Sequence, residues 1–196
     1  MKKILFLFGQ PGSGRKTFIY NVINQDKIVQ DSLGLRYRSV SVLDLPYDRE
    51  GFMSDYRTLE KRHDCILKII EDYLNNNNQL LIIFGEHADY YDFNKSILRI
   101  ICEEYPNLEK EVYFLHPDDS ILGYERLVNT EWYKKDDSNK YKYQYEWYTL
   151  VMRYMKECLL KYEECGFKLT EIDTTDGYKV INSDVKKLEL KSNDKK

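Results

Sequence analysis

The stretch from Gly9 to Phe18, which reads GQPGSGRKTF, holds residue types that bind phosphate. Its three glycines let successive backbone N–H groups turn inward around phosphate oxygens, and its Arg-Lys-Thr end adds two cations and a hydroxyl. The stretch follows the apolar run from Ile4 to Phe8 and precedes a helix-like segment. A buried strand, a glycine-rich loop and a helix in this order form the setting in which such loops bind nucleotide phosphates. We therefore predict a phosphate-binding loop here.

The cations of this loop stand in an unusual order. The usual pattern is Gly, four residues, Gly, then Lys and Ser or Thr, whereas here Gly14 is followed by Arg15, Lys16 and Thr17. Without a gap, Arg15 takes the lysine position and Lys16 takes that of the Mg²⁺-ligating hydroxyl, a role that an ammonium cannot fill. With one inserted residue, Lys16 and Thr17 fill both roles. Loop geometry favours the first alignment and the chemical inventory favours the second, so both stay open.

Composition limits the class of protein. A chain of 196 residues with 42% hydrophobic and 32% charged residues indicates one folded domain. The longest apolar runs, 4–8 and 80–84, are strand-sized, so we expect no membrane span. Gln10-Pro11-Gly12 interrupts the first run too early for a signal peptide, and we expect a cytoplasmic protein. The net charge of −3 gives no general signal for nucleic acid.

Strand-like and helix-like segments alternate along the chain, which indicates βαβ units and a mainly parallel sheet. The expected strands are 3–8, 37–43, 80–84, 111–115 and 167–172, with Asp44 directly after the second and Glu86 shortly after the third. The expected helices run from about 15 to 24, from Ser54 to about 74, from Asp92 towards Pro106, from about 119 to 128, and through 147–162. His116 ends the fourth strand, and we expect it to be structural.

The loop resembles that of nucleotide, nucleoside and polynucleotide kinases of the P-loop kinase superfamily, which typically reads G-x-P-G-S-G-K-S/T-T. The resemblance extends over about residues 1–180. It implies a three-layer α/β fold with a five-stranded parallel sheet in the order 2-3-1-4-5, flanked by helices. It also implies a lid at about 129–146, and residues 181–196 remain as a charged tail.

The same resemblance implies ATP and Mg²⁺ as cofactors and assigns roles to individual residues. The ATP-binding residues would be Gly9, Gly12, Ser13, Gly14, Arg15, Lys16 and Thr17. Thr17 and Glu86 would organise Mg²⁺. Lys16 would clamp the phosphates, Asp44 would orient the acceptor, and Arg126 would offset charge in the transition state. A second lid arginine is missing, because Asn129 and Thr130 occupy its region.

The resulting prediction is a kinase that transfers the γ-phosphoryl group of ATP to a hydroxyl or phosphate acceptor, a nucleoside, nucleotide or nucleic-acid end. The alternative is a nucleotide-binding scaffold without phosphoryl transfer, since degenerate P-loops also occur in guanylate-kinase-like scaffold domains. Residues 131–148 interleave tyrosines with lysines, which is typical of single-strand binding. Four lysines and four acidic residues balance in that segment, so packing of its aromatics on the following helix is favoured.

Overall fold

The computed structural model describes residues 2–23, 40–45, 59–85 and 97–182. Six strands within them form one sheet: β1 (Lys3–Phe8), β2 (Val40–Leu45), β3 (Leu80–Gly85), β4 (Glu109–His116), β5 (Lys168–Asp173) and β6 (Lys179–Asn182). The helices are α1 (Arg15–Ile23), α2 (Leu59–Asn75), α3 (Ile97–Glu104), α4 (Ser120–Val128), α5 (Glu131–Lys134), α6 (Asn139–Lys142) and α7 (Tyr145–Glu164). This alternation confirms the α/β class predicted from the sequence.

The described strands stand in the order β2-β3-β1-β4-β5-β6. β1 pairs in parallel with β3 and β4, β2 with β3, and β4 with β5. These five strands follow the order expected from the kinase resemblance, but β6 pairs antiparallel with β5. The expected five-stranded parallel sheet is therefore corrected to a mixed sheet of six strands. The chain reverses through Gly177, whose φ of 83° suits glycine, and so returns beside β5.

The central strands are apolar on both faces because helices cover both sides of the sheet. Alternate residues of β1 join two separate buried clusters, Phe6 in one and Leu7 in the other. Helices α2, α3 and α7 pack on the first face, and α1 packs on the second through Phe18 and Ile19. The parallel strands all end at one edge of these layers, and the loops at that edge carry the candidate site.

Several element boundaries differ from those expected. β2 ends at Leu45 rather than at 43, so Asp44 lies within the strand near its carboxyl end, and the expected start at 37 lies outside the described residues. The expected helix starts at Ser54 and Asp92 lie outside the described residues. β6 extends to Asn182, two residues beyond the boundary expected at 180. Among the described helices, none combines the length and the apolar character needed to cross a membrane.

A buried ionic cluster joins the carboxyl ends of β4 and β5. His116 and Glu171 are 4% and 3% exposed, and the His116 Nε2 contacts the Glu171 carboxylate. The other ring nitrogen, Nδ1, lies 2.8 Å from the Pro117 carbonyl oxygen, and the Lys156 Nζ of α7 lies 3.1 Å from Glu171 Oε1. Burial alone would raise the pKa of Glu171, but the hydrogen bond with His116 and the charge of Lys156 outweigh burial and lower this pKa. His116 is therefore a buried structural residue that connects β4 to β5 through its contact with Glu171.

Candidate phosphate-binding site

The glycine-rich loop lies between β1 and α1, at the carboxyl edge of the parallel strands. Gly9, Gly12 and Gly14 have φ angles of 148°, 85° and 89°, which L side chains rarely adopt. A hydrogen bond of 3.0 Å from the Ser13 N–H to the Gln10 carbonyl oxygen closes the loop. Left-handed residues in a tight turn are the backbone geometry from which anion-binding nests are built.

Helix α1 begins at Arg15, directly after the last glycine of the loop. The Phe18 N–H donates to the Gly14 carbonyl oxygen at 2.9 Å, which is a regular α-helical bond with no inserted residue. Arg15 is half-buried, whereas Lys16 and Thr17 are exposed. This register matches the alignment without a gap, in which Arg15 stands at the position of the usual lysine and Lys16 at that of the usual hydroxyl.

Tyr178 reaches the loop from the turn between β5 and β6. Its hydroxyl donates to the Gly14 carbonyl oxygen at 3.2 Å, and Thr17 lies nearby. Its ring packs edge-on against Phe18, with the ring centroids 5.3 Å apart. Burial raises the pKa of Tyr178, while the Thr17 hydroxyl and the Arg126 charge oppose this effect. Tyr178 therefore fastens the start of α1 to the β5 side of the sheet.

The Tyr178 contact can be tested by removing one oxygen. We expect Tyr178→Phe to weaken ATP binding about fivefold, because one hydrogen bond that orders the loop is lost while the ring still packs on Phe18. Calorimetric titration with ATP measures this change. Tyr141→Phe is the matched control, since Tyr141 is 82% exposed. Equal affinities for the two variants would show that the Tyr178 hydroxyl does not order the loop.

Two helices hold the loop from the other side. A Cβ at Gly12 would lie 2.9 Å from the Arg126 carbonyl carbon and from the Leu127 nitrogen, so the backbone of α4 packs directly on the loop. The Gln10 side chain is 2% exposed, and its Nε2 donates to the Tyr148 carbonyl oxygen of α7 at 3.0 Å. The sequence alone did not predict a role for Gln10 or Tyr148. Both the backbone and the side chains of the loop are therefore fixed by α4 and α7.

Gly12→Ala tests the close packing of α4 on the loop. We expect this variant to lose about 2 kcal/mol more unfolding free energy than Gly166→Ala, because only Gly12 would force a side chain against backbone atoms. Gly166 is a matched control, since its φ of 86° is similar and nothing lies within 4 Å of its added Cβ. Denaturant unfolding of both variants measures the difference. If Gly12→Ala and Gly166→Ala lost equal unfolding free energy, the whole loss would come from backbone strain and none from the packing of α4.

Arg126 lies at the same edge as the loop but is held by backbone oxygens. Its Nη1 donates to the Thr174 carbonyl oxygen at 2.7 Å and its Nη2 to the Thr175 carbonyl oxygen at 2.9 Å. The Thr174 N–H in turn donates to the His116 carbonyl oxygen at 2.9 Å. Arg126 thus connects α4 to the turn after β5. Its contact with phosphates stays a prediction.

One of the two predicted carboxylates, Asp44, belongs to the other half of the sheet. Asp44 pairs in register with Phe84 near the carboxyl end of β2. β3 separates β2 from β1, so Asp44 lies two strand spacings, roughly 10 Å, from the strand that leads into the loop. Glu86 lies outside the described residues. The roles of Asp44 and Glu86 both stay predictions.

Other proteins of known structure share this architecture. The chain superposes on a chain from the PezAT chromosomal toxin–antitoxin system of Streptococcus pneumoniae with a TM-score of 0.52 and 15% sequence identity. The match covers 95% of this chain and 76% of that one. Together with the strand order and the glycine-rich loop, this likeness decides the fold. The chain has the P-loop kinase fold.

A second similar structure is shikimate kinase from Acinetobacter baumannii in complex with shikimate. It superposes with a TM-score of 0.42 and 15% identity, covering 90% of this chain and 86% of that one, and it adds nothing to the argument. No protein-family model and no curated protein matches the chain. At 15% identity, the three-dimensional likeness shows the fold and not the activity.

The loop of this P-loop kinase fold suits the phosphates of ATP. Ser13 is 4% exposed, and its hydroxyl has no hydrogen-bond partner within the described residues. The amino terminus of α1 adds N–H groups and favourable partial charge, and Arg15 and Lys16 add two cations. A second buried atom without a partner, Gln10 Oε1, accepts hydrogen bonds and does not suit an anion. The donor set as a whole fits a phosphate chain.

The described residues of the loop do not fit a Mg²⁺ ion bound through a loop hydroxyl. The residue after Arg15 is Lys16, whose ammonium has no lone pair to give to a metal. The Thr17 hydroxyl lies beside Tyr178 instead. Across the described residues, no group of three or more His, Cys, Asp or Glu side chains is arranged for a metal ion. Glu86 remains a prediction outside that range.

The aromatic stretch expected to form a lid packs mainly on α4 and α7. It contains the short helices α5 and α6. A buried cluster beside them consists of Leu127, Tyr133 and Tyr148. Tyr143 packs edge-on against Trp147 with centroids 4.5 Å apart, and Tyr141 is exposed. This packing agrees with the interpretation favoured from the charge balance of the segment. Movement of residues 129–146 as a lid stays a prediction.

Proposed function

We propose that this chain is an ATP-dependent phosphotransferase. The observation that carries the proposal is the loop between β1 and α1, with left-handed φ angles at Gly12 and Gly14 and with Arg15 opening the helix. Such loops cradle the phosphates of a bound nucleotide. The loop also lies at the carboxyl edge of the parallel strands, where α/β folds bind their ligands. The proposed donor group is the γ-phosphoryl group of ATP.

The proposed reaction is an in-line displacement at the γ-phosphorus. The acceptor oxygen forms a bond to that phosphorus as the bond to the bridging oxygen of ADP breaks. Arg15 and Lys16 hold the β- and γ-phosphates and offset their charge. Asp44, near the carboxyl end of β2, orients a hydroxyl acceptor and takes its proton. A phosphate acceptor attacks in its ionised form and transfers no proton.

Arg126 can act on the transferring phosphoryl group only if it gives up one of its present contacts. Its two terminal nitrogens donate to the Thr174 and Thr175 carbonyl oxygens. To offset charge on the transferring group, the guanidinium has to exchange at least one of these contacts for a phosphate oxygen. In its present position, it orders the turn after β5 beside the loop. We propose that ATP binding brings about the exchange.

The proposed acceptor is a nucleoside, a nucleotide or the end of a nucleic acid. The resemblance of the loop to nucleotide and polynucleotide kinases supports this class. The net charge of −3 and the balanced charges of residues 131–148 favour a small acceptor over a long strand. The exposed Tyr141 is available for stacking on a base, but its packed neighbours are not.

A phosphate-transfer screen tests the proposed function. The purified chain is incubated with γ-labelled ATP and separate panels of nucleosides, nucleotides, oligonucleotides and small metabolites, with and without Mg²⁺. We expect label to move to at least one member of the first three panels. Absence of both ATP binding and label transfer under every condition would overturn the proposal. Transfer only to small metabolites would keep the phosphotransferase and replace the acceptor class.

A nucleotide-binding scaffold is the second candidate function. Two observations favour it: Arg15 and Lys16 stand at the two most constrained positions of the loop, and Arg126 is engaged by backbone oxygens. A scaffold would bind ATP without releasing ADP or labelled product. Binding in calorimetry without turnover in the screen would therefore support the scaffold, whereas multiple turnovers would exclude it.

A further inference from the structure

We infer that the loop binds metal-free ATP, with the Lys16 ammonium in place of the Mg²⁺ ion that a P-loop hydroxyl normally ligates. The inference rests on the proposed function, since it takes ATP as the ligand. The inference specifies which ionic form of ATP the protein prefers: free ATP rather than its magnesium complex. Three features support this: the register of α1, the position of Thr17 near Tyr178, and the charge of the loop.

The helix register puts an ammonium where the metal-ligating hydroxyl is expected. α1 begins at Arg15, and the Phe18 N–H donates to the Gly14 carbonyl oxygen as in an uninterrupted helix. Lys16 is therefore the second helical residue. Side chains lean toward the amino terminus of their helix, so the Lys16 ammonium can reach the mouth of the loop. Lys16 is exposed and makes no ion pair with any residue in the described part of the chain.

Thr17 does not replace the missing hydroxyl on the metal side. Thr17 lies near Tyr178, which precedes β6 and whose hydroxyl donates to the Gly14 carbonyl oxygen at 3.2 Å. In the sheet order, β5 and β6 stand on one side of β1, and β2 and β3 stand on the other. One predicted carboxylate, Asp44, belongs to β2. Tyr178 and the strand that carries Asp44 therefore lie on opposite sides of the strand that enters the loop.

The charges of the loop suit the more anionic form of the nucleotide. Arg15 and Lys16 together carry the positive charge that one Mg²⁺ ion would bring to the phosphates. Metal-free ATP is more negative than its magnesium complex, so it gains more from two fixed cations and from the amino terminus of α1. A Mg²⁺ ion on the β- and γ-phosphates would meet the Lys16 ammonium as a like charge. Mg²⁺ should thus compete with the protein for the nucleotide.

Calorimetric titration with unmodified ATP tests the inference, once in EDTA and once in excess Mg²⁺ at matched ionic strength. We expect ATP to bind more tightly in EDTA than in Mg²⁺. Lys16→Ser should bind about tenfold more weakly in EDTA and no more weakly in Mg²⁺, because it removes the ammonium and supplies a hydroxyl. Lys134→Ser, a change at an exposed lysine of α5, is the matched control and should behave as the wild type.

The outcomes separate the inference from the proposed function. Binding that is as tight or tighter in Mg²⁺ would overturn the inference and leave the ATP-dependent function standing. Absence of ATP binding in both buffers, with thermal unfolding showing a folded protein, would overturn both. A Lys16→Ser variant that binds ATP in EDTA as tightly as the wild type would also overturn the inference, since the ammonium would then have no part in binding.

Discussion

Replacing Arg15 by alanine is expected to weaken ATP binding on the order of 100-fold and to abolish phosphoryl transfer. Arg15 is the first residue of α1, directly after the last glycine of the loop, and it is half-buried. Charge-assisted hydrogen bonds from arginine to phosphate are among the stronger contacts available to a protein. Calorimetry with ATP and the labelled-transfer assay measure the two effects.

Arg15→Lys and Lys16→Ala test which alignment of the loop is right. Arg15→Lys restores the usual lysine and should keep most of the binding, because the charge remains at the same helical position. Arg153→Ala is the matched control, since Arg153 is exposed on α7. If Lys16→Ala abolished activity while Arg15→Ala only weakened it, the alignment with an inserted residue would hold and the helix register would not describe the bound state.

The presence of the five parallel strands could be predicted because each strand leaves a recognisable local pattern in the sequence. Ile4 to Phe8 and Leu80 to Phe84 are continuous apolar runs, as expected for strands covered on both faces. The loop after β1 carries its own signature in its glycines. The kinase resemblance then supplied the order of the strands, which neither composition nor periodicity could have supplied.

The sixth strand could not be predicted because it lacks such a pattern. Val180 and Ile181 are 38% and 45% exposed, so β6 has no apolar face turned to the core. It is four residues long and adjoins a charged terminal segment, and such a stretch is equally typical of a tail. Its pairing with β5 depends on the reversal through Gly177, a tertiary event that the local sequence does not specify.

The residues that hold the glycine-rich loop in place also could not be predicted from the sequence. Tyr178 and Gly14 are 164 positions apart, and Gln10 and Tyr148 are 138 apart. No local spacing in the sequence relates residues at such separations. The chain also has so many tyrosines that the sequence does not single out Tyr178 or Tyr148 as a contact of the loop. The loop residues were recognisable because they are consecutive and glycine-rich. The residues that hold them depend on how α4, α7 and the β5–β6 turn pack.

Replacing His116 by alanine is expected to lower the free energy of unfolding at neutral pH by about 3–5 kcal/mol. The Pro117 carbonyl oxygen only accepts hydrogen bonds, so the His116 Nδ1 donates to it and Nε2 faces Glu171. Without the ring, a buried carboxylate loses the donor that contacts it most closely. Denaturant unfolding measures the loss. Glu103→Ala, which breaks the exposed pair with Arg99, should cause no measurable loss.

Glu171→Gln separates the ionic part of this effect from packing, because it keeps the shape and removes the charge. The folded chain lowers the pKa of Glu171, so ionised Glu171 stabilises the fold above its unfolded pKa of about 4.3. That contribution is lost as the pH falls through the folded-state pKa. The stability difference between wild type and Glu171→Gln should therefore shrink as the pH falls below about 4. A difference that stays the same in acid would mean that His116 and Glu171 stabilise the sheet by packing and not by charge.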